Sequence, residues 1–211
     1  LTKQFTSPIN VAIPSGNFGN AYSAWFGRAN GLPINEILCS TNVNDVLRRF
    51  IDGGVLEPLV TQPSLAPSMD IQIPSSLERL IFDLCSEAKT FYDHLQSNSK
   101  AQLDDKSVGT LKSIFSSVTF KDEMIKTLIA SLHDEFGIIF DPHTVTSVQM
   151  ALDKNSSVPT VAVATASPEK FGNVISPLIN GFTESKIDQK EQYLTLSTEN
   201  AEIIEAIKAF I

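Results

Sequence analysis

The sequence has little of what marks several classes of protein. Among 211 residues there are only two cysteines, which excludes a disulfide framework, and no run approaches the about 18 apolar residues of a membrane span. Lysine and arginine number 16 against 24 aspartates and glutamates, and a net charge of −8 repels nucleic acids and anionic membranes. The histidines and cysteines lack metal-site spacing. We therefore expect a cytoplasmic protein that binds no nucleic acid, membrane or metal.

Short apolar runs alternate with helical patterns along the chain. Residues 10–13 are typical of a buried strand, 21–30 of an amphipathic helix, 36–41 of a second strand and 44–51 of a second helix. A third strand is expected at 160–165. This alternation predicts an α/β fold with an open, mostly parallel sheet and helices on both faces.

The middle of the chain is expected to be mainly helical. Residues 55–74 are rich in Pro, Ser and Gln, which is typical of a long surface segment. We interpret 76–136 as a helical insertion within a single domain that spans residues 1–211. Helices are predicted at 76–96, 108–116, 121–136, 143–153, 168–181 and 199–211.

The strongest local signal is the sequence Ser15-Gly-Asn-Phe-Gly-Asn20, between the first strand and the first helix. Its two glycines permit a turn that exposes successive backbone N–H groups, and the positive end of the following helix points at the same place. This arrangement suits a dianionic phosphate. The loop lacks the lysine of a nucleoside-triphosphate loop and the third glycine of a dinucleotide fingerprint, and a tight turn without a ligand is the alternative.

Other polar residues are expected at the same edge of the sheet. Thr165 ends the third predicted strand, and ligands of open parallel sheets lie beyond the carboxyl ends of the strands. Its hydroxyl suits a ring nitrogen of a ligand, or else caps the next helix. His143 either anchors a helix or transfers protons. Residues 41–45 (TNVND) also follow the end of a strand and offer hydrogen-bonding groups at the ligand edge of the sheet. Helix capping is their alternative use.

Seven sequence blocks occur in the same order and at similar spacing in threonine synthases. They are 15–20 (SGNFGN), 31–34 (GLPI), 41–45 (TNVND), 67–71 (PSMDI), 78–80 (ERL), 141–144 (DPHT) and 165–171 (TASPEKF). The chain thus resembles the C-terminal part of threonine synthases, which are pyridoxal 5′-phosphate enzymes of fold type II, in the branch of the fungal and proteobacterial enzymes. The resemblance implies conversion of O-phospho-L-homoserine and water to L-threonine and phosphate.

The resemblance also implies roles for particular residues. The implied cofactor-binding residues are Gly16, Asn17, Phe18, Gly19, Asn20 and Thr165. The implied substrate-binding residues are Asn42, Asp45, Arg79 and His143. Within these sets, Thr165 would bond the pyridine nitrogen without charging it. Arg79 is suited to a bidentate phosphate contact, and a structural ion pair is its alternative use.

The lysine that carries the cofactor as a Schiff base lies before the phosphate loop in this family. Only 14 residues precede Ser15, so we expect this lysine upstream of Leu1, in a missing N-terminal segment or a partner chain. The fold is then incomplete at its N-terminus and the chain alone is inactive. Lys121, in a similar Phe-Lys-Asp tripeptide, follows the loop and is interpreted as the start of a helix without a catalytic role.

Two positions depart from the family pattern. Ser167 stands where the family usually has histidine, and Val145 stands where small residues are usual. These departures favour, as an alternative, a phospho-lyase that releases 2-oxobutyrate from the same class of substrate. A non-catalytic phosphate-binding domain or fragment is the remaining alternative.

Overall fold

The computed structural model describes residues 7–85, 87–183, 202, 204, 205 and 208. The strands are β1 (Ile9–Pro14), β2 (Ile34–Thr41), β3 (Val55–Leu56), β4 (Ala101–Gln102), β5 (Phe115–Thr119) and β6 (Thr160–Ala162). The helices are α1 (Gly19–Ala29), α2 (Val46–Gly53), α3 (Leu77–Leu84), α4 (Ala88–Asn98), α5 (Asp105–Lys112), α6 (Asp122–Phe136), α7 (Thr144–Asp153) and α8 (Gly172–Ile175). None of these helices is long and apolar enough to cross a bilayer.

The described part of the chain contains one larger sheet of four strands, in the order β5-β2-β1-β6. All of its pairings are parallel, and Val11 of β1 lies opposite Ile37 of β2 and Val161 of β6. The short strands β3 and β4 form a separate antiparallel pair. The predicted α/β fold with a mostly parallel sheet is therefore confirmed.

Helices cover both faces of this sheet. Successive side chains of a strand point to opposite faces, so the central strands β1 and β2 each contribute to two apolar clusters. On β1, Val11 and Ile13 belong to an apolar cluster with α1 to α5, whereas Ala12 belongs to a second cluster with α6, α7 and α8. On β2, Cys39 faces the first cluster and Leu38 faces the second. Both central strands are apolar on both faces, which is typical of a parallel sheet covered by two helical layers.

The order of the strands places a crevice beside β1. The chain runs from β1 to β2 and β5 on one side, and then crosses to β6 on the other side of β1. Ligands of open α/β sheets bind at such a change of direction, outside the carboxyl ends of the strands. The segments that follow β1 and β6 therefore meet at the position where a ligand is expected.

Several predicted elements differ from those in the structure. The helix predicted at 108–116 is wrong at its end, because β5 begins at Phe115 and pairs with β2, so the stretch 76–136 is not purely helical. The helix predicted at 76–96 is broken by an extended residue, Cys85. The segment 55–74 is not confined to the surface, because Ala66 and Met69 are buried in the second apolar cluster.

The predicted third strand and the helices near the end of the chain are shorter than expected. Strand β6 ends at Ala162, three residues before the predicted end. The helix predicted at 168–181 is instead a 3₁₀ turn at Pro168–Phe171, followed by the short helix α8. Most of the terminal helix predicted at 199–211 lies outside the described residues.

Candidate functional site

A cavity of about 250 Å³ lies at the carboxyl ends of β1 and β6. It is lined by residues 14–21, Ser68, Met69, His143 and Thr165. The structure therefore brings together the predicted phosphate loop, the predicted ring-nitrogen partner and one of the predicted substrate contacts. These parts come from positions far apart in the sequence.

The loop after β1 is fixed by close packing and by an unusual backbone conformation. A Cβ atom on Gly16 would lie 2.5 Å from the carbonyl oxygen of Ser68 and 2.8 Å from Cα of Met69, so glycine is required there. The left-handed residue of the loop is Phe18, with φ of 68°. We expected the glycines to adopt the unusual backbone angles of the turn, and this is wrong, because Phe18 adopts the left-handed conformation instead. Phe18 is buried, and its ring centroid lies 5.6 Å from that of Phe115.

The backbone N–H groups of residues 16–21 donate no hydrogen bond to any described residue. Helix α1 begins here, and its N-cap residue, Phe18, provides no side-chain acceptor. Free N–H groups and the positive end of a helix dipole together attract an anion. Neighbouring atoms hold the loop in place: Ser15 N–H donates to Ser40 O at 2.8 Å, and Asn17 Oδ1 accepts from Ser75 N–H at 2.7 Å.

Thr165 reaches the cavity from the end of β6. Its backbone N–H donates to Oγ1 of Thr144 at 3.1 Å, which ties this segment to the first turn of α7. The residue is exposed, and its own hydroxyl makes no hydrogen bond with the described residues. The hydroxyl is therefore free to bond a ligand in the cavity.

His143 is almost fully buried, with 3% of its surface exposed, and both of its ring nitrogens have partners. Nδ1 lies 2.8 Å from Oδ1 of Asp141, and Nε2 accepts the backbone N–H of Ser68 at 3.2 Å. The ring of Phe171 packs 5.0 Å away. His143 stands at the N-cap position of α7, but its side chain makes no capping hydrogen bond to that helix. It anchors the turn at Pro67–Met69.

Asp141 organises the start of α7. Its Oδ1 also accepts the backbone N–H groups of His143 and Thr144, at 2.9 and 3.4 Å. Burial alone raises the pKa of this carboxyl, but the hydrogen bonds from His143 and Thr144 outweigh burial and hold its pKa below the ordinary value. An ionised carboxylate accepts only, so Nδ1 of His143 carries the proton and Nε2 is left as the acceptor.

Asn42 is buried and its side chain is used within the protein. Its amide nitrogen donates to Oδ1 of Asp70 at 2.6 Å and to Oγ of Ser64 at 2.7 Å. The neighbouring Asn44 donates to the same Asp70 oxygen at 3.0 Å and accepts the N–H of Gln62 at 2.8 Å. These bonds fasten the irregular segment 57–74 to the end of β2, and neither asparagine lines the cavity.

Asp45 and Arg79 also lie outside this cavity. Asp45 accepts hydrogen bonds from Arg48 at 2.5 Å and Arg49 at 3.0 Å. Partial burial raises the pKa of Asp45, but these two arginines together outweigh burial, so that the net pKa is below the ordinary value. Arg79 borders a different, more open cavity of about 660 Å³, where its guanidinium lies 5.6 Å from the ring centroid of Tyr22.

Lysine is absent from the described residues that line the loop cavity. Lys121 stands at the N-cap position of α6, as expected of a residue that begins a helix. Sequence reasoning missed two wall residues, Ser68 and Met69. The signal was present, because both belong to the block at 67–71 that is shared with threonine synthases, but the block by itself gives no role to either residue.

The fold and the site define an α/β protein with a loop of free backbone N–H groups at the point where the strand order reverses, and comparisons with known proteins agree with this fold. No protein-family model matches the chain. The chain is 30% identical over 208 residues to threonine synthase of Pseudomonas aeruginosa, covering 92% of this chain and 44% of that protein. It is 31% identical over 179 residues to human threonine synthase-like 1, covering 81% of this chain and 24% of that protein.

Solved structures give the same result. Threonine synthase from Brucella melitensis, determined with bound PLP, superimposes with a TM-score of 0.83 at 26% identity, over 99% of this chain and 47% of that chain. Yeast threonine synthase gives a TM-score of 0.78 at 28% identity, over 85% and 40%. The resemblance to threonine synthases and the fold of type II are therefore confirmed. The chain spans less than half the length of these relatives.

Proposed function

We propose that this chain forms the phosphate and ring-nitrogen side of a pyridoxal 5′-phosphate site in an enzyme of the threonine synthase type. The complete enzyme would convert O-phospho-L-homoserine and water to L-threonine and phosphate. The observation that carries the proposal is one cavity that holds both the free N–H groups of residues 16–21 and the free hydroxyl of Thr165. We propose that residues 1–211 belong to one large domain and, from their cysteine content, act in the cytoplasm.

The loop fits the phosphate end of such a cofactor. The N–H groups of residues 16–21 offer several donors to one dianion, and the start of α1 adds its dipole at the same place. Gly16 brings the backbone against Ser68 without a side chain between them. The chain therefore needs no lysine or arginine in the loop to hold a phosphate.

Thr165 fits the opposite end of the cofactor. A hydroxyl can donate to or accept from a pyridine nitrogen, whereas an aspartate would favour the protonated ring. When bound, the cofactor would supply an electron sink for the Cα atom of the amino acid substrate. The part played by Thr165 is to orient the ring and leave its nitrogen uncharged.

The remaining parts of the reaction would come from elsewhere. None of the described residues that line the cavity is a lysine, so we propose that the cofactor-carrying lysine is supplied by another segment of the protein or by a partner chain. The hydrogen bonds of Asn42 and Asp45 within the protein give no support to their predicted contacts with a phosphorylated amino acid. Arg79 borders a separate cavity, so its predicted phosphate contact is likewise without support from the geometry.

A phospho-lyase that releases 2-oxobutyrate, ammonia and phosphate is the second candidate. One observation favours it: Ser167, which departs from the family pattern, is exposed and lies two residues beyond Thr165, which lines the cavity. Val145 gives no such support, because it is fully buried in the second apolar cluster. Product analysis of the enzyme completed with a lysine-bearing segment separates the two candidates as threonine or 2-oxobutyrate.

The binding of pyridoxal 5′-phosphate and of inorganic phosphate to the 211-residue chain tests the proposal directly. We expect both ligands to bind. We expect no visible absorbance band from a Schiff base between pyridoxal 5′-phosphate and a lysine. Thr165→Val should weaken the affinity for pyridoxal 5′-phosphate about fivefold, the value of one neutral hydrogen bond, and leave phosphate affinity unchanged. Thr127→Val, on the exposed face of α6, is the matched control. Failure of both ligands to bind would favour a structural turn at 15–20 instead.

A further inference from the structure

We propose that Asp141 and His143 form a positioning unit for the phosphate loop, acting through the backbone of Ser68. His143 touches no ligand in this role. It holds the turn at Pro67–Met69 in the place where that turn supports Gly16. The inference rests on the proposed function only for its effect on ligand affinity, since the geometric link exists in the protein itself.

The first step is the choice of tautomer. The carboxylate of Asp141 is fully buried, and its Oδ1 accepts from Nδ1 of His143 at 2.8 Å. The same oxygen accepts the backbone N–H groups of His143 and Thr144, which fixes the carboxylate relative to α7. With the proton on Nδ1, the lone pair of Nε2 is available, and the imidazole has a single orientation.

The second step is the bond from the ring to the turn. Nε2 of His143 accepts the N–H of Ser68 at 3.2 Å, across 75 positions of sequence. The ring is clamped on another side by Phe171, whose centroid lies 5.0 Å away. Since His143 is the N-cap residue of α7, the bond ties the 3₁₀ turn at Pro67–Met69 to the start of that helix.

The third step is the contact from the turn to the loop. The carbonyl oxygen of Ser68 and Cα of Met69 lie so close to Gly16 that a methyl group has no room, at 2.5 and 2.8 Å from the ideal Cβ position. A shift of Ser68 therefore either opens a gap behind Gly16 or pushes it towards the cavity. The N–H groups of residues 16–18 would move with it, and a phosphate site depends on their common direction.

Two substitutions of His143 separate the two ends of the unit. In His143→Gln the side-chain oxygen reaches the position of Nε2 and keeps an acceptor for Ser68. In His143→Asn the amide nitrogen keeps a donor for Asp141, but the acceptor for Ser68 is lost. His133→Asn, on the half-buried side of α6, makes the same chemical change away from the cavity.

We would measure the ligand-free chain first, by ¹⁵N NMR. The wild-type ring should show a protonated Nδ1 and an unprotonated Nε2. His143→Asn should shift the amide signals of Ser68 and residues 16–18, whereas His143→Gln and His133→Asn should leave those signals near their wild-type positions. A wild-type ring protonated on Nε2, or loop signals unmoved in a folded His143→Asn protein, would overturn the proposal. The wild-type tautomer decides the matter even if His143→Asn does not fold.

The second measurement is the affinity for pyridoxal 5′-phosphate. His143→Asn should weaken it about tenfold, and His143→Gln should restore it to within about twofold of the wild type. Equal losses in both variants would contradict positioning through Ser68. If the wild type binds no pyridoxal 5′-phosphate, the proposed function fails, while the ring tautomer and the loop signals still decide whether His143 positions the loop.

Discussion

The loops that follow β1 and β2 stand side by side at the same edge of the sheet, and they use their polar groups in opposite ways. The loop after β1 leaves the N–H groups of residues 16–21 without partners among the described residues. In the loop after β2, the side chains of Asn42, Asn44 and Asp45 are all bonded within the protein. The first loop keeps its N–H donors unused, whereas the second uses its polar side chains to hold the surrounding chain together.

Asp70 explains most of this difference. Its Oδ1 accepts from Asn42, Asn44 and Ser64, so one carboxylate collects the polar groups of the second loop. Within the described part of the chain no such acceptor serves the first loop, which packs against the backbone of Ser68 and Met69. Polar residues at the end of a strand therefore do not by themselves define a site. A site requires that their hydrogen bonds are left unused.

The largest effect is expected at Gly16. Gly16→Ala places a Cβ against backbone atoms of Ser68 and Met69, which cannot rotate away. The free energy of unfolding should therefore fall by about 3 kcal/mol. Gly19→Ala is the control, because its nearest described neighbour would be Ser76 Oγ at 3.7 Å. Denaturant unfolding measures both variants. Equal stability of the two variants would show that the first loop is not held by this contact.

A smaller effect on stability is expected from the second loop. Asn44→Ala leaves the N–H of Gln62 without its acceptor and should cost about 2 kcal/mol, with the affinity for pyridoxal 5′-phosphate unchanged within about twofold. Asn20→Ala, in the first loop, removes an exposed side chain and should alter stability by less than about 0.5 kcal/mol. Urea titration and ligand binding test the pair. The contrast between the loops fails if Asn44→Ala mainly weakens binding.

The smallest effect concerns pH. The pKa of Asp45 is lowered in the folded protein, so its ion pairs with Arg48 and Arg49 stabilise the fold fully above its ordinary pKa of 3.8. This stabilisation is lost as the pH falls through the lower folded value. Asp45→Asn should therefore cost about 1 kcal/mol at neutral pH and progressively less below pH 3.8.

Unfolding measured across this pH range tests the prediction, with Asp52→Asn as the control. Among the described residues Asp52 pairs with Arg48 alone, and its side chain is 51% exposed, so its replacement should have a smaller effect at every pH. A difference between Asp45→Asn and the wild type that stays constant down to the lowest pH would contradict the role of the carboxylate charge. Added salt should reduce the effect of Asp45→Asn.

The sequence predicted the phosphate loop and Thr165 because the loop directly follows the first strand and Thr165 ends the strand predicted at 160–165, and the ends of parallel strands share one edge. It did not predict β5, since Ser116 and Ser117 weaken the apolar pattern and only the pairing with β2 makes this segment a strand. Nor did it predict that Phe18 adopts a left-handed backbone conformation. In the structure the ring of Phe18 packs against that of Phe115. In these cases a contact distant in sequence opposes the local preference.

The order of strand, glycine-containing loop and helix was determined by the sequence alone, and with it the free N–H groups at the start of α1. Only the tertiary structure decided which other residues meet that loop and which polar groups are already occupied. The reason is the length of the connections: Asn42 and Asp70 are 28 positions apart, and Ser68 and His143 are 75 apart. Hydrogen bonds over such separations depend on how the sheet and helices pack, and a local pattern contains no record of them.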